Sequence, residues 1–158
     1  MKKYELTEET KVIGGKTLFR IRALRSFGDI KAGDLGGFIE NERNLSHEGN
    51  AWVGDNAQVG GNAQVGGDAW VDGDAWVNGD GLINSNNDYL CEKGLGSHNR
   101  SASFFKCKDG HIHVLCGCFS GNLDEFENKV KEEHGNSKYA KEYLGFIEVV
   151  KTHFEVRQ

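Results

Sequence analysis

Ala51-Trp52-Val53-Gly54-Asp55-Asn56, Ala57-Gln58-Val59-Gly60-Gly61-Asn62, Ala63-Gln64-Val65-Gly66-Gly67-Asp68, Ala69-Trp70-Val71-Asp72-Gly73-Asp74 and Ala75-Trp76-Val77-Asn78-Gly79-Asp80 form one unbroken run. Val recurs at every sixth position until Ile83 takes its place, and each Val has Ala two positions before it. A fixed short period marks an architecture of stacked short strands. In an extended strand alternate side chains face opposite sides, so Ala and Val share one side and the residue between them takes the other. The interior therefore receives Val and Ala. Gly, Asn and Asp fill the corners, where they tolerate positive φ at little cost.

This pattern resembles the hexapeptide-repeat family, in which a Leu, Ile or Val is followed by a small or acidic residue, two free positions and a small residue. The resemblance covers roughly a third of the chain. It implies a short left-handed parallel β-helix of three hexads per coil over residues 39–86, serving as a trimerisation scaffold, because the family is trimeric. Extending the phase backward puts Ile39 and Leu45 at the small position and His47 at the aliphatic one. With three hexads per coil, residues about 18 apart lie one above the other. Trp52 then sits over Trp70, Gln58 over Trp76 and Gln64 over Leu82, all outward. Outward apolar groups in line mark an interface, so Trp52, Trp70 and Trp76 are expected either at the contact of a homotrimer or under other segments of the same chain, such as the tail domain.

Composition narrows the function classes. The 158 residues include 22 Gly and no Pro, and carry a net charge of -5, which argues against broad nucleic-acid or membrane-surface binding. Met1-Lys2-Lys3 is followed by a polar segment without an apolar run, so neither a signal peptide nor a span is expected, and the protein reads as cytoplasmic. Four Cys in that compartment are expected as free thiols. Residues 1–38 read as a β-hairpin cap, with Gly14-Gly15 turning between two β-rich runs.

After Asn86 the period stops, and residues 87–158 read as an α+β recognition domain of three strands and two helices. Strands are expected over 88–92, 101–107 and 111–118. Taking Asp109-Gly110 as a two-residue hairpin turn pairs Cys107 with Ile112, Phe105 with Val114 and Ser103 with Cys116 on one face. Lys106 and His113 would share the other. Asn122-Leu123-Asp124-Glu125 is a capping box that opens a helix, which stops at Gly135. Ser137 opens the second helix, with Tyr139, Tyr143, Ile147, Val150 and Phe154 on one stripe.

Cys91, Cys107, Cys116 and Cys118 with His111 and His113 invite a zinc site, but no Cys-x-x-Cys knuckle exists, so no metal is expected. His47 resembles the base of hexad acyltransferases, yet its phase places it inward. No catalytic residue and no cofactor are assigned. The ligand candidates are Gly96, Ser97, His98 and Arg100 in one Gly/Ser loop and Ser120 and Gly121 at a helix N-terminus, flanked by Lys106 and His113, which would together hold an anion if they converge.

The layout of a hairpin, Asp34-Leu35-Gly36-Gly37-Phe38-Ile39-Glu40, a short hexad run and the tail Cys116-Gly117-Cys118-Phe119-Ser120-Gly121-Asn122-Leu123-Asp124-Glu125-Phe126 looks like small hexapeptide-repeat proteins carried by phages and prophages, which would place it in the host cell's cytoplasm. That resemblance implies a non-enzymatic anti-defence protein that sequesters a host signalling nucleotide or a similar small anion. The alternatives are direct inhibition of a host defence protein, or acyl transfer from acetyl-coenzyme A.

Overall fold

The computed structural model describes residues 2–96 and 100–155, with the backbone alone described at Arg100. The chain begins with two long strands, β1 (Tyr4–Ile13) and β2 (Lys16–Ala23), joined at Gly14 and Gly15, both at positive φ. Ile13 pairs with Lys16, as a two-residue turn requires. β3 (Leu35–Ile39) lies antiparallel to β2 and leads into the hexads.

Each hexad contributes a strand of two residues: β4 (Trp52–Val53), β5 (Gln58–Val59), β6 (Gln64–Val65), β7 (Trp70–Val71), β8 (Trp76–Val77) and β9 (Leu82–Ile83). Trp52 pairs with Trp70, Gln58 with Trp76 and Gln64 with Leu82, all parallel, so the 18-residue stacking read from the repeat is the pairing that forms. Every hexad Ala and Val is buried. The corners Gly61, Gly67, Gly73 and Gly79 take positive φ.

The expectation of a left-handed parallel β-helix is nevertheless corrected. The hexad strands fall into separate sheets, β4-β7 and β6-β9 with two strands each, while β5 and β8 join a mixed sheet of order β1-β2-β3-β5-β8. The physical reason is length. Each face receives only two hexad strands, too few to form a closed, self-supporting stack, and the remaining edges and ends are taken by the rest of the chain. β3 continues one face by pairing Phe38 with Gln58 and Ile39 with Val59.

The C-terminal part holds one more strand than expected. β10 (Tyr89–Leu95), β11 (Arg100–Lys106), β12 (Ile112–Cys116) and β13 (Phe119–Asn122) form an antiparallel sheet in chain order, followed by α1 (Leu123–His134) and α2 (Lys138–His153). The expected strand over 111–118 is broken at Gly117, whose positive φ lets Cys116 pair with Phe119. Both helix starts follow the sequence: Asn122 and Glu125 close a capping box, and the Ser137 hydroxyl accepts from the Ala140 amide.

The turn at Asp109-Gly110 is longer than two residues. Lys108, Asp109 and Gly110 form the loop, closed by Gly110 N–H to Cys107 C=O and Cys107 N–H to His111 C=O, each 2.9 Å. Gly110 supplies the left-handed residue that such a loop needs. The register then pairs Phe105 with His113, Phe104 with Val114 and Ser103 with Leu115. A slip of one residue moves a whole set of side chains to the other face, so the expected face assignments are reversed along β12. Phe105, Cys107 and Leu115 join the hexad core, whereas Phe104, Val114 and Cys116 pack under the helices with Phe126, Val130 and Ile147.

The sheet is thus a wall between two cores. Phe105 is fully buried against Gly81, where an added Cβ would lie 3.0 Å from its ring. Lys108 N–H donates to Asp80 C=O at 3.0 Å, and the Trp76 amide donates to the Ser103 hydroxyl at 2.9 Å. These contacts bind the last hexads to the C-terminal sheet.

Candidate functional site

The three-residue loop has a chemical consequence. Because the register is shifted, His113 lies on the same face as Cys107, and His111 at the loop's end lies beside both. Asp109 Oδ1 accepts from the His111 amide at 3.0 Å and faces His111 Nδ1 at 2.5 Å. His111 Nε2 lies 3.3 Å from His113 Nδ1, and His113 Nε2 lies 2.9 Å from Ser120 Oγ. With His111 donating to Asp109, its Nε2 accepts from His113 Nδ1–H, which leaves His113 Nε2 to accept from the Ser120 hydroxyl. Four side chains from one loop and two strands therefore form a continuous hydrogen-bonded line.

Electrostatics suit that line. Burial, and then the adjacent His111, hold His113 below its usual pKa, which favours the neutral ring. The His111 amide and ring hold the Asp109 carboxyl below its ordinary range. Burial, with the Asp109 and Asp80 carboxylates, pushes the Cys107 thiol up to about 11, so it is no thiolate nucleophile at neutral pH. Cys91, Cys107 and Cys118 carry free thiols.

Beyond Ser120 the surface opens into a cleft of about 440 Å³ between β13 and the two helices. Phe119, Phe126 and Tyr143 give it apolar walls, and Ser120, Lys129 and His134 give it polar ones. The His134 ring stacks on Tyr143 at 5.6 Å and 23°. Lys129 is held by Glu133 at 3.3 Å in an exposed i,i+4 pair.

The expected ligand residues are only partly brought together. His113 and Ser120 touch, and Gly96 packs against Tyr143, where a Cβ would lie 2.3 Å from the hydroxyl. Ser97 and His98 lie outside the described residues, as does the Arg100 side chain; the Arg100 backbone pairs with Leu95. Lys106 pairs with Ile112 and lines a groove with Asn87, Asp88 and Phe154 on the opposite side of the sheet from His113. The helix N-terminus at Ser120-Gly121 is closed by its own capping box, with Glu125 Oε1 accepting from the Asn122 amide at 3.0 Å and Asn122 Oδ1 from the Glu125 amide at 2.8 Å. A carboxylate already occupies the place proposed for an anion, and Gly121 is buried against the Phe119 ring. The sequence reading missed Asp109, His111, Lys129, His134 and Tyr143 as site residues. Asp109 and His111 were signalled by the His-x-His pair after the turn, once the loop is counted as three residues.

The tryptophans are less exposed than expected. Trp52 is only 2% exposed, packed edge-on against Phe27 at 5.4 Å, and cannot form an intermolecular contact. Trp70 and Trp76 are half-buried, with the Trp70 ring N–H donating to Asn50 C=O at 3.2 Å. At Trp52 the cover comes from Phe27 of the N-terminal segment. His47 is structural: it stacks on Tyr4 at 4.1 Å, and its Nδ1 accepts from the Lys3 amide. Among the described residues no helix is long and apolar enough to cross a membrane.

No protein-family model matches the chain. It is similar, 40% identical over 63 residues, to an Escherichia coli (strain K12) protein named Uncharacterized acetyltransferase YdcK; the match takes in 35% of this chain and 19% of that protein, so the chain spans about a fifth of that curated relative's length.

Proposed function

We propose that the chain is a binding protein whose C-terminal cleft holds a small ligand with a planar ring and an anionic group. The observation that carries this reading is the cleft itself. Its volume of about 440 Å³ lies in the range of small-ligand sites, and its mix of aromatic walls with a few polar groups is the composition such sites use. The half-buried Phe119 ring and the His134 ring stacked on Tyr143 offer apolar contact, with Phe126 buried behind them, and Lys129 offers a donor. An anion must displace Glu133 from Lys129, but an exposed i,i+4 pair costs only about 0.3–0.5 kcal/mol to break. A charge-assisted hydrogen bond to the freed ammonium returns about 1.5–3 kcal/mol. A nucleotide fits this chemistry, and sequestration of a host signalling nucleotide is the physiological role that the resemblance to phage-borne hexad proteins suggests.

Calorimetric titration with mononucleotides, cyclic mononucleotides and cyclic dinucleotides tests the reading. Binding of one class is expected, weakened about ten- to a hundredfold in Lys129→Ala. No binding by any phosphate-bearing aromatic ligand would refute it.

A second reading is acyl transfer. Two observations support it: the 2.9 Å contact of His113 Nε2 with Ser120 Oγ, which suits His113 for taking a hydroxyl proton, and the short similarity to a protein named as an acetyltransferase. Consumption of acetyl-coenzyme A with an amine or hydroxyl acceptor, lost in His113→Gln, would favour it over simple binding.

A further inference from the structure

We propose that Cys107, His111 and His113 form a binding site for one zinc ion, or a divalent metal of similar preference. One ligand atom from each residue lies within 4.8 Å of the other two, and this is the one trio of that kind among the described residues. The nitrogen separation is informative. Two imidazole nitrogens at about 2.0–2.1 Å from a tetrahedral zinc stand about 3.3 Å apart, and His111 Nε2 and His113 Nδ1 are 3.3 Å apart.

The groups behind these nitrogens also fit. A metal-bound imidazole usually donates its other N–H to a carboxylate, carbonyl or hydroxyl, which fixes the ring. His111 Nδ1 faces Asp109 Oδ1, and His113 Nε2 faces Ser120 Oγ, so each ring has its outer partner in place. Cys107 is buried in the hexad core, whereas the His111 side chain is 39% exposed. The metal would sit between core and solvent, with three protein ligands and a fourth position for water or an anion. The Cys107 thiol loses its proton to solvent on binding, and the resulting thiolate bonds the metal. The His113–Ser120 bond then runs from ring N–H to hydroxyl oxygen.

The test uses the full chain stripped with chelator and titrated with zinc, and separately with cobalt(II), whose thiolate charge-transfer band reports the sulfur. One zinc per chain and a cobalt–thiolate band are expected. The band should vanish in Cys107→Ser, and zinc affinity should fall at least about tenfold in His111→Gln or Asp109→Asn. A second measurement needs no variant: zinc should shift the ring resonances of His111 and His113 in the wild-type protein and leave those of His47 and His153 unmoved. No shift of the first pair, or equal binding by the triple variant Cys107→Ser, His111→Gln, His113→Gln, would overturn the proposal. Neither readout involves the cleft ligand, so this site and the binding function fail separately.

Discussion

Phe105→Ala probes how the two cores are joined. The Phe105 ring is fully buried on the hexad side of the C-terminal sheet, between Gly81 and the rest of that core. Truncating it removes most of a large, fully buried side chain from the core, which costs about 3–5 kcal/mol. For a chain of this length each kcal/mol lowers the melting temperature by about 2–4 °C, so a fall of roughly 6–20 °C is expected. The assay is thermal unfolding followed by tryptophan fluorescence and, in parallel, by far-ultraviolet circular dichroism. All three Trp lie in the hexads and both long helices lie beyond them, so the two signals report opposite sides of the wall. If the hexads depend on the C-terminal sheet, both transitions move down together. A Trp transition that stays at the wild-type temperature while the helical signal falls would show that the hexads stand without the C-terminal sheet.

Three further outcomes follow from the geometry. Gly67→Ala should destabilise far more than Gly73→Ala: both are at positive φ, worth about 1–2 kcal/mol for a side chain, but a Cβ at 67 would meet the Asn84 carbonyl at 2.3 Å and at 73 would meet nothing; denaturant midpoints of the two variants check this. Lys3 is buried with its ammonium donating to the carbonyls of Ala51, Gly49 and Glu48, and burial together with the Arg25 charge pushes its pKa down to about 8 from 10.5. Between those two values the unfolded chain binds more protons than the folded one, so stability should rise with pH across that window; chemical denaturation at several pH values should show the rise in the wild type and its loss in Lys3→Met. Trp52, sealed under Phe27, should resist a soluble fluorescence quencher, while Trp70 and Trp76 are quenched, and Trp52→Phe should raise the quenchable fraction of the remaining emission towards one.

The period of the repeat made the buried Val and Ala positions and the 18-residue pairing legible, because each follows from strand alternation and a fixed count. What the period could not show is that two strands per face leave edges and ends that other segments must fill, so a separate β-helix does not form. Helix starts were equally legible, since Asn122, Glu125 and Ser137 cap through contacts within their own turn. The site was not. Whether Asp109-Gly110 closes a two- or a three-residue loop decides which side of β12 carries His113, and that depends on packing of Phe105 against the hexads rather than on the turn alone. Trp52 was misplaced for a related reason: an outward position in the repeat becomes interior once Phe27 folds over it.

If the C-terminal cleft holds a small anionic aromatic molecule, mass spectrometry of what heat releases from the purified protein should find one such compound in near-equal amount to protein, chemically unchanged, and should find none from a folded Lys129→Ala variant. A compound released in altered form, or retained equally by that variant, would show that the cleft does not bind it in this way.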